Sequence, residues 1–134
     1  MARQNLFRAA DRVFTAGLGV SGTQVVALFA IEREEGGPLK SLTRQLQLKN
    51  STVTGLVQRM AEAGLIRREP APEDGRASRL YVSDKGRAVA DQAKPLLGAM
   101  NAKLKAGFSE DELAVIVRFL KHAAEVSFDE EPKA

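Results

Sequence analysis

Cysteine is absent from all 134 residues. That excludes a disulfide framework, a thiolate zinc site and thiol-based redox sensing within the chain. Tryptophan is also missing and tyrosine occurs once, at Tyr81, so the core has to be filled mainly with Leu, Val, Ala and Ile. The single histidine, His122, has no second histidine or cysteine with which to share a metal. Its place near the end of the last expected helix suits the helix dipole when the ring is charged. Charged residues are missing from Val13 to Ile31, but Gly17, Gly19, Ser21, Gly22, Thr23 and Gln24 interrupt that run. It therefore reads as a helix end, a turn and a helix start, not as a membrane span. A signal peptide is not expected, because Arg3, Arg8, Asp11 and Arg12 are spread through the region where its apolar stretch would lie. A cytoplasmic location is the expectation. No phosphate-binding glycine loop, nucleophile elbow or metal-ligand spacing occurs either, so neither an enzyme nor a cofactor is expected.

What is present is ordinary for a globular chain, with 44% hydrophobic and 28% charged residues. The length fits one domain, or a small domain with extra helices that become stable by pairing with a second copy. A net charge of +3 says little, but its distribution says more. Residues 40 to 90 hold ten Lys or Arg against five Asp or Glu, whereas residues 1 to 39 balance at four of each. Residues 91 to 134 are net acidic, with six bases and eight acids. Positive potential is concentrated in the middle of the chain, as a nucleic-acid partner would require.

Periodicity predicts a mainly α fold with a small β-hairpin. Leu6, Ala9, Ala10, Val13 and Phe14 form a helical stripe over Asn5 to about Ala16. Ser21 and Gln24 have capping-box spacing, opening a helix that runs to Glu35 and stops at Gly36-Gly37. Pro38 starts a short helix around Lys40 to Gln45, with Leu39, Leu42 and Leu46 pointing inward and Leu48 closing a tight connection. From Asn50 to Ala63, the residues Val53, Leu56, Val57 and Met60 fall at i, i+3, i+4 and i+7, with Gly64 as the stop. Leu65-Ile66 and Leu80-Tyr81-Val82 have strand composition, and the polar segment between them makes a hairpin with a long tip. Ser83 caps a long helix from Asp84 to Ala106, bent at Pro95. Ser109 and Glu112 form a second capping box, opening a last helix with the stripe Leu113, Ile116, Val117 and Leu120. The run Glu32, Glu34 and Glu35 reads as a solvated face, and residues 129–134 as a frayed acidic tail.

Two short helices joined by a tight turn and followed by a hairpin make a winged helix-turn-helix. The side of the second helix opposite its apolar stripe presents Ser51, Gly55, Gln58 and Glu62, flanked by Thr52, Thr54 and Arg59. Gln58 has the donor and acceptor needed for an adenine edge. Ser51 and Thr54 can donate or accept, and a Thr methyl can touch a thymine methyl. Gly55 lowers helix stability by roughly 1 kcal/mol against Ala; it either lets the backbone approach the groove floor or is a tolerated surface glycine. Taken alone, Asp74 and Arg76 read as a solvated turn sooner than as a functional pair; only their context favours function.

The order and spacing of these pieces are specific. STVTGLVQRM in the second helix, AGLIRRE leading into the hairpin, Asp74-Gly75-Arg76 at its tip and LYVSDKG leading into the long helix resemble the multiple-antibiotic-resistance regulator (MarR) family. The resemblance covers nearly the whole chain. It implies a cytoplasmic homodimeric regulator, a repressor in the expected mode, that binds a pseudo-palindromic site on double-stranded DNA. Residues 22–83 would form the winged helix-turn-helix, and residues 1–20 and 84–128 the helical dimerisation part. By position, Ser51, Thr52, Thr54 and Gln58 would face bases. Arg76 would enter the minor groove, with Asp74 holding its guanidinium. Lys40, Arg44, Lys49, Arg59 and Arg79 would contact phosphates. A small aromatic or carboxylate effector would release the DNA by favouring the arrangement that cannot bind it. The alternative is a ligand-independent interaction or architectural module on the same fold. Two departures from the family stand out: Gly55 occupies a place often held by a basic or polar side chain, and the first helix is expected to add less to the dimer than usual.

Overall fold

A computed structural model describes residues 2–71 and 74–126, with side chains over 8–70 and 78–126. The backbone divides into two units, Met1–Gly98 and Ala99–Ala134. The first contains α1 (Ala2–Leu18), α2 (Gly22–Arg33), β1 (Gly37–Pro38), α3 (Leu39–Leu46), α4 (Asn50–Glu62), β2 (Ile66–Ala71), β3 (Asp74–Val82) and most of α5 (Asp84–Lys105). The second contains the end of α5 and α6 (Glu110–Glu125).

The uncharged run divides as its glycines and polar residues require. The segments Arg8–Leu18 and Gly22–Arg33 meet at 76°. Ser21 Oγ accepts from Gln24 N at 3.2 Å while Gln24 Oε1 accepts from Ser21 N at 3.1 Å, completing the capping box. Among the described residues no single helix is long and apolar enough to cross a membrane.

Helix α2 is the centre of the first unit. Val25, Ala27, Leu28, Ala30 and Ile31 are buried there, together with Phe14 of α1, Leu42 of α3, Leu80 and Val82 of β3, and Ala90 and Ala93 of α5. α2 ends at Arg33, two residues before the expected Glu35, because Glu34 leaves helical geometry at φ −133°. That early exit frees Gly37 and Pro38 to form β1, which sequence periodicity did not indicate. β1 pairs antiparallel with β3, Gly37 opposite Leu80 and Pro38 opposite Arg79, and the sheet order is β1-β3-β2. Glu35 is more than a solvated charge: its carboxylate accepts from Val82 N at 3.3 Å and pairs with Arg87 Nη2 at 3.2 Å, joining the end of α2 to β3 and α5. In α3, Leu42 is buried as expected, but Leu39 and Leu46 are only half-buried and Leu48 is exposed.

The hairpin has longer strands and a shorter tip than its composition suggested. Register runs from Ile66↔Val82 to Pro70↔Ser78 and then shifts, so that Ala71 faces Asp74. Pro70 is tolerated because β2 lies at the edge of the sheet, where one missing N–H leaves no neighbour unpaired.

Helix α5 begins against the base of that hairpin. Ser83 Oγ accepts from Gly86 N at 3.0 Å, capping the helix, and donates to Gly64 O at 2.5 Å. Gly86 is buried, and a Cβ there would overlap the Leu65 carbonyl oxygen. Pro95 lies inside α5 as expected.

In the second unit Ser109 and Glu112 form the other capping box. The Ser109 backbone N–H, 2.9 Å from Glu112 Oε1, holds the Glu112 carboxyl below the usual carboxylate range, and the Ser109 hydroxyl adds to it. Leu113 of α6 is half-buried, whereas Val115, Ile116, Val117, Phe119 and Leu120 are exposed.

The contact at Gly86 generates a stability prediction. Gly86→Ala forces a methyl group onto backbone and is expected to destabilise the fold by roughly 3 kcal/mol, read as a lower urea midpoint. An unchanged midpoint would show that the α5 start and the hairpin base are not packed this closely.

Candidate nucleic-acid interface

α4 is held on one side only. Val53 and Met60 are 0% exposed, Val57 1% and Leu56 4%, so the expected stripe at i, i+3, i+4 and i+7 is the buried one. On the other side Ser51, Thr52, Thr54, Gln58, Arg59 and Glu62 are all exposed and Gly55 is half-buried. α3 precedes it through Gln47, which takes a left-handed conformation at φ 53° and donates to Thr43 O at 2.9 Å. Two side-chain bonds seat α3 and α2 against each other: Gln45 Nε2 donates to Ala30 O at 3.4 Å, and Arg33 Nε donates to Gln45 Oε1 at 3.4 Å.

The C-terminal end of α4 is closed by a hydrogen-bonded turn. Gly64 sits at φ +76°. Its N–H donates to Ala61 O at 3.0 Å and that of Leu65 to Met60 O at 2.9 Å, the pairing that lets a left-handed glycine stop a helix without orphaning its last carbonyls. Lys85 Nζ adds a bond to Ala63 O at 2.8 Å, placing a cation at the negative end of the helix. The chain then enters β2 directly, so the direction of the hairpin follows from the end of α4.

Two residues of the exposed face are already engaged. Thr54 Oγ1 donates to Asn50 O at 2.8 Å, so its proton is committed to the helix and its methyl and lone pairs face outward. Gln58 Nε2 donates to Glu62 Oε1 at 3.3 Å. One amide proton and the carbonyl of Gln58 stay available, and Glu62 biases which way the amide points. Glu62 lies on the expected face, but a carboxylate among groups meant for DNA carries no sequence signal of that pairing.

The cations lie around this face. Lys40 and Arg44 on α3 and Lys49, which caps α4 through its backbone alone, are exposed. Arg79 is half-buried on the central strand β3 and is engaged with other groups. Arg67 and Arg68 on β2 are exposed cations that composition did not single out; Arg67 pairs with Glu69 at 3.1 Å and its guanidinium lies 5.3 Å from the centre of the Tyr81 ring. Asp74 and Arg76 have their backbone in β3, and their side chains lie outside the described residues. Among the described residues no three His, Asp or Glu side chains converge as a metal site would need.

Residues 20–78 match the model of the MarR family. Among curated proteins, the chain is 31% identical over 109 residues to the HTH-type transcriptional regulator SarZ of Staphylococcus haemolyticus, spanning 80% of this chain and 71% of that protein. Among solved structures, the PcaV transcriptional regulator of Streptomyces coelicolor, in complex with its natural ligand, superposes with a TM-score of 0.82 at 24% identity, over 93% of this chain and 90% of the other. A mutant MarR from E. coli complexed with operator DNA superposes with a TM-score of 0.80 at 21% identity, over 91% and 90%. Both structures share the fold described here.

Gly64→Ala is expected to destabilise the chain by about 1–2 kcal/mol, because a Cβ in the left-handed region meets its own carbonyl. Denaturant titration checks this; an unaltered midpoint would mean that the turn after α4 tolerates another geometry.

Proposed function

The chain belongs to the MarR family of winged-helix transcriptional regulators, and on that footing we propose that two copies grip one pseudo-palindromic DNA site through paired α4 helices and basic hairpins, repressing until a small ligand intervenes. The observation that carries this reading is the division of α4 into a buried apolar side and an exposed polar side in the most basic third of the sequence. A helix of this kind fits the major groove, whose width admits it and whose base edges match hydroxyl and amide groups.

Residue roles follow from chemistry and position. Ser51, Thr52, Thr54 and Gln58 face bases. Thr54, with its proton committed, offers a methyl to thymine or a lone pair to an amino group. Lys40, Arg44, Lys49 and Arg79 neutralise phosphates and set the register without selecting sequence. Arg76 at the hairpin tip enters the minor groove with Asp74 orienting its guanidinium. These roles need two recognition helices about one duplex turn, roughly 34 Å, apart. The exposed Val115, Ile116, Val117, Phe119 and Leu120 of α6 support the dimer, since this much apolar surface on one helix calls for a cover. Residues 1–20 and 84–128 form that dimerisation part, and 22–83 the DNA-binding part. The protein acts by binding and release, with no catalytic step. The ligand is a small aromatic or carboxylate compound; the related PcaV was crystallised with a natural ligand of its own.

Two substitutions test the DNA contacts. Arg76→Ala is expected to weaken operator binding roughly tenfold or more while leaving the dimer intact; unchanged affinity would remove the hairpin tip from the interface. Gln58→Ala is expected to relax preference at one base pair per half-site by roughly 1–3 kcal/mol. A uniform loss across all sequences would reassign Gln58 as a positioning contact. Titrating phenolic and carboxylic acids against the complex tests the last element: dissociation supports an effector, and retention with every compound contradicts it.

A further inference from the structure

Arg59 stands out because its side chain does not extend toward the rim of the interface. A Cβ built at position 55 would lie 3.3 Å from Arg59 Nη1, tighter than ordinary carbon contact. The guanidinium therefore lies back over Gly55, one turn toward the N-terminus, at the middle of the exposed face. Gly55 itself is half-buried, although it has no side chain. Among the described residues the guanidinium has no hydrogen-bond or ion-pair partner.

Resting on the DNA-binding reading above, we propose that Arg59 reads a base edge and that Gly55 is the notch that seats it. A phosphate contact is made at the rim of the groove, where the sugar-phosphate strands run. Base edges lie on the floor, which the centre line of the recognition helix faces. Ser51, Gly55, Gln58 and Glu62 mark that line on α4, and the fold of Arg59 over Gly55 brings its charge onto it. Guanine is the base this geometry selects, because its O6 and N7 are adjacent acceptors that match two parallel N–H donors of one guanidinium. The notch also gives Gly55 a reason to be present: glycine is among the poorest residues for a helix interior, and even a Cβ at 55 would make the end of the Arg59 side chain give way by a few tenths of an ångström. Here the cation at the centre of the face is supplied from one turn further along, in place of a side chain at position 55 itself.

The two roles for Arg59 differ in what lysine can replace. A phosphate contact needs a point charge, which Lys supplies; a guanine contact needs the planar fork, which Lys lacks. The experiment selects bound duplexes from a random pool with the 134-residue chain and with Arg59→Ala, Arg59→Lys and Gly55→Ala, each first shown to match the parent in circular dichroism and sedimentation. The expected result is a guanine at one base pair of each half-site for the parent, with that preference reduced roughly 5- to 150-fold in both Arg59 variants. Preferences elsewhere in the site stay as they were. Gly55→Ala is expected to weaken the same preference at the same position by a smaller factor. The proposal is overturned if Arg59→Ala lowers affinity equally for all sequences and Arg59→Lys restores it, which would make Arg59 a phosphate anchor. It is also overturned if Gly55→Ala leaves the guanine preference at the parental level. If the parent selects no sequence at all, the DNA-binding reading itself fails, and that is visible before any variant is compared.

Discussion

Burial of Val53, Leu56, Val57 and Met60 fixes the rotation of α4 about its own axis, and from that rotation follows everything the helix can touch. Each of these side chains contributes about 1.5–3 kcal/mol when removed from water, so the stripe as a whole is worth on the order of 10 kcal/mol. Local terms are much smaller. Gly55 opposes the helix by roughly 1 kcal/mol, and Lys49 provides no side-chain cap, forgoing about another 1 kcal/mol. Tertiary packing therefore outweighs local preference several-fold, which is why the exposed face can be chosen for recognition and carry a glycine at its centre. Turning the helix by even one residue would expose part of the stripe and bury a hydroxyl or an amide without a partner.

The same helix ends at a junction that connects the rest of the molecule to it. Gly64 stops α4, Lys85 and Ser83 bond the carbonyls of Ala63 and Gly64, and Ser83 N donates to Leu65 O at 3.1 Å. The absence of a side chain on Gly86 lets α5 start directly against Leu65. The recognition helix, the base of the hairpin and the first turn of α5 thus share a few backbone groups. Glu35 adds a second tie, from the end of α2 to Val82 and Arg87. A displacement of α5 has a short mechanical route to both α4 and the hairpin.

Much of this was legible in the chain because the signals are local. Ser21 with Gln24 and Ser109 with Glu112 carry a full helix start within four residues, and both boxes form. The α4 stripe spans two helical turns, and Gly64 stops the helix where the pattern ends. What was missed depends on partners distant in sequence. Gly37 and Pro38 become a strand only because β3 lies beside them, and two residues can show no alternation. The hairpin strands looked short because β2 is an edge strand with charged residues and Pro70, whose pairing comes from register and not from hydrophobic pattern. Glu35 looked like one of three solvated acids, and only the fold brings it to Val82 and Arg87. Helical spacing also does not say how wide the neighbouring surface is, so it could not show that Leu39 and Leu46 are buried only in part. At the interface, the sequence placed Ser51, Thr52, Thr54 and Gln58 on the exposed side correctly. It could not show that Thr54 gives its proton to Asn50, that Gln58 leans on Glu62, or that Arg59 folds back over Gly55.

The absence of cysteine makes the central claim directly measurable, since any thiol introduced is the only one present. Alkylation rates of Ser51→Cys, on the outer side of α4, and Val53→Cys, on the inner side, would be compared with and without a duplex selected from random sequence. A helix held by its apolar stripe and docked by its polar face predicts fast reaction at position 51 in the free protein, protection there once DNA is bound, and slow reaction at position 53 in both states. Equal reactivity of the position-51 thiol with and without DNA, in a variant that still binds the duplex, would contradict the account.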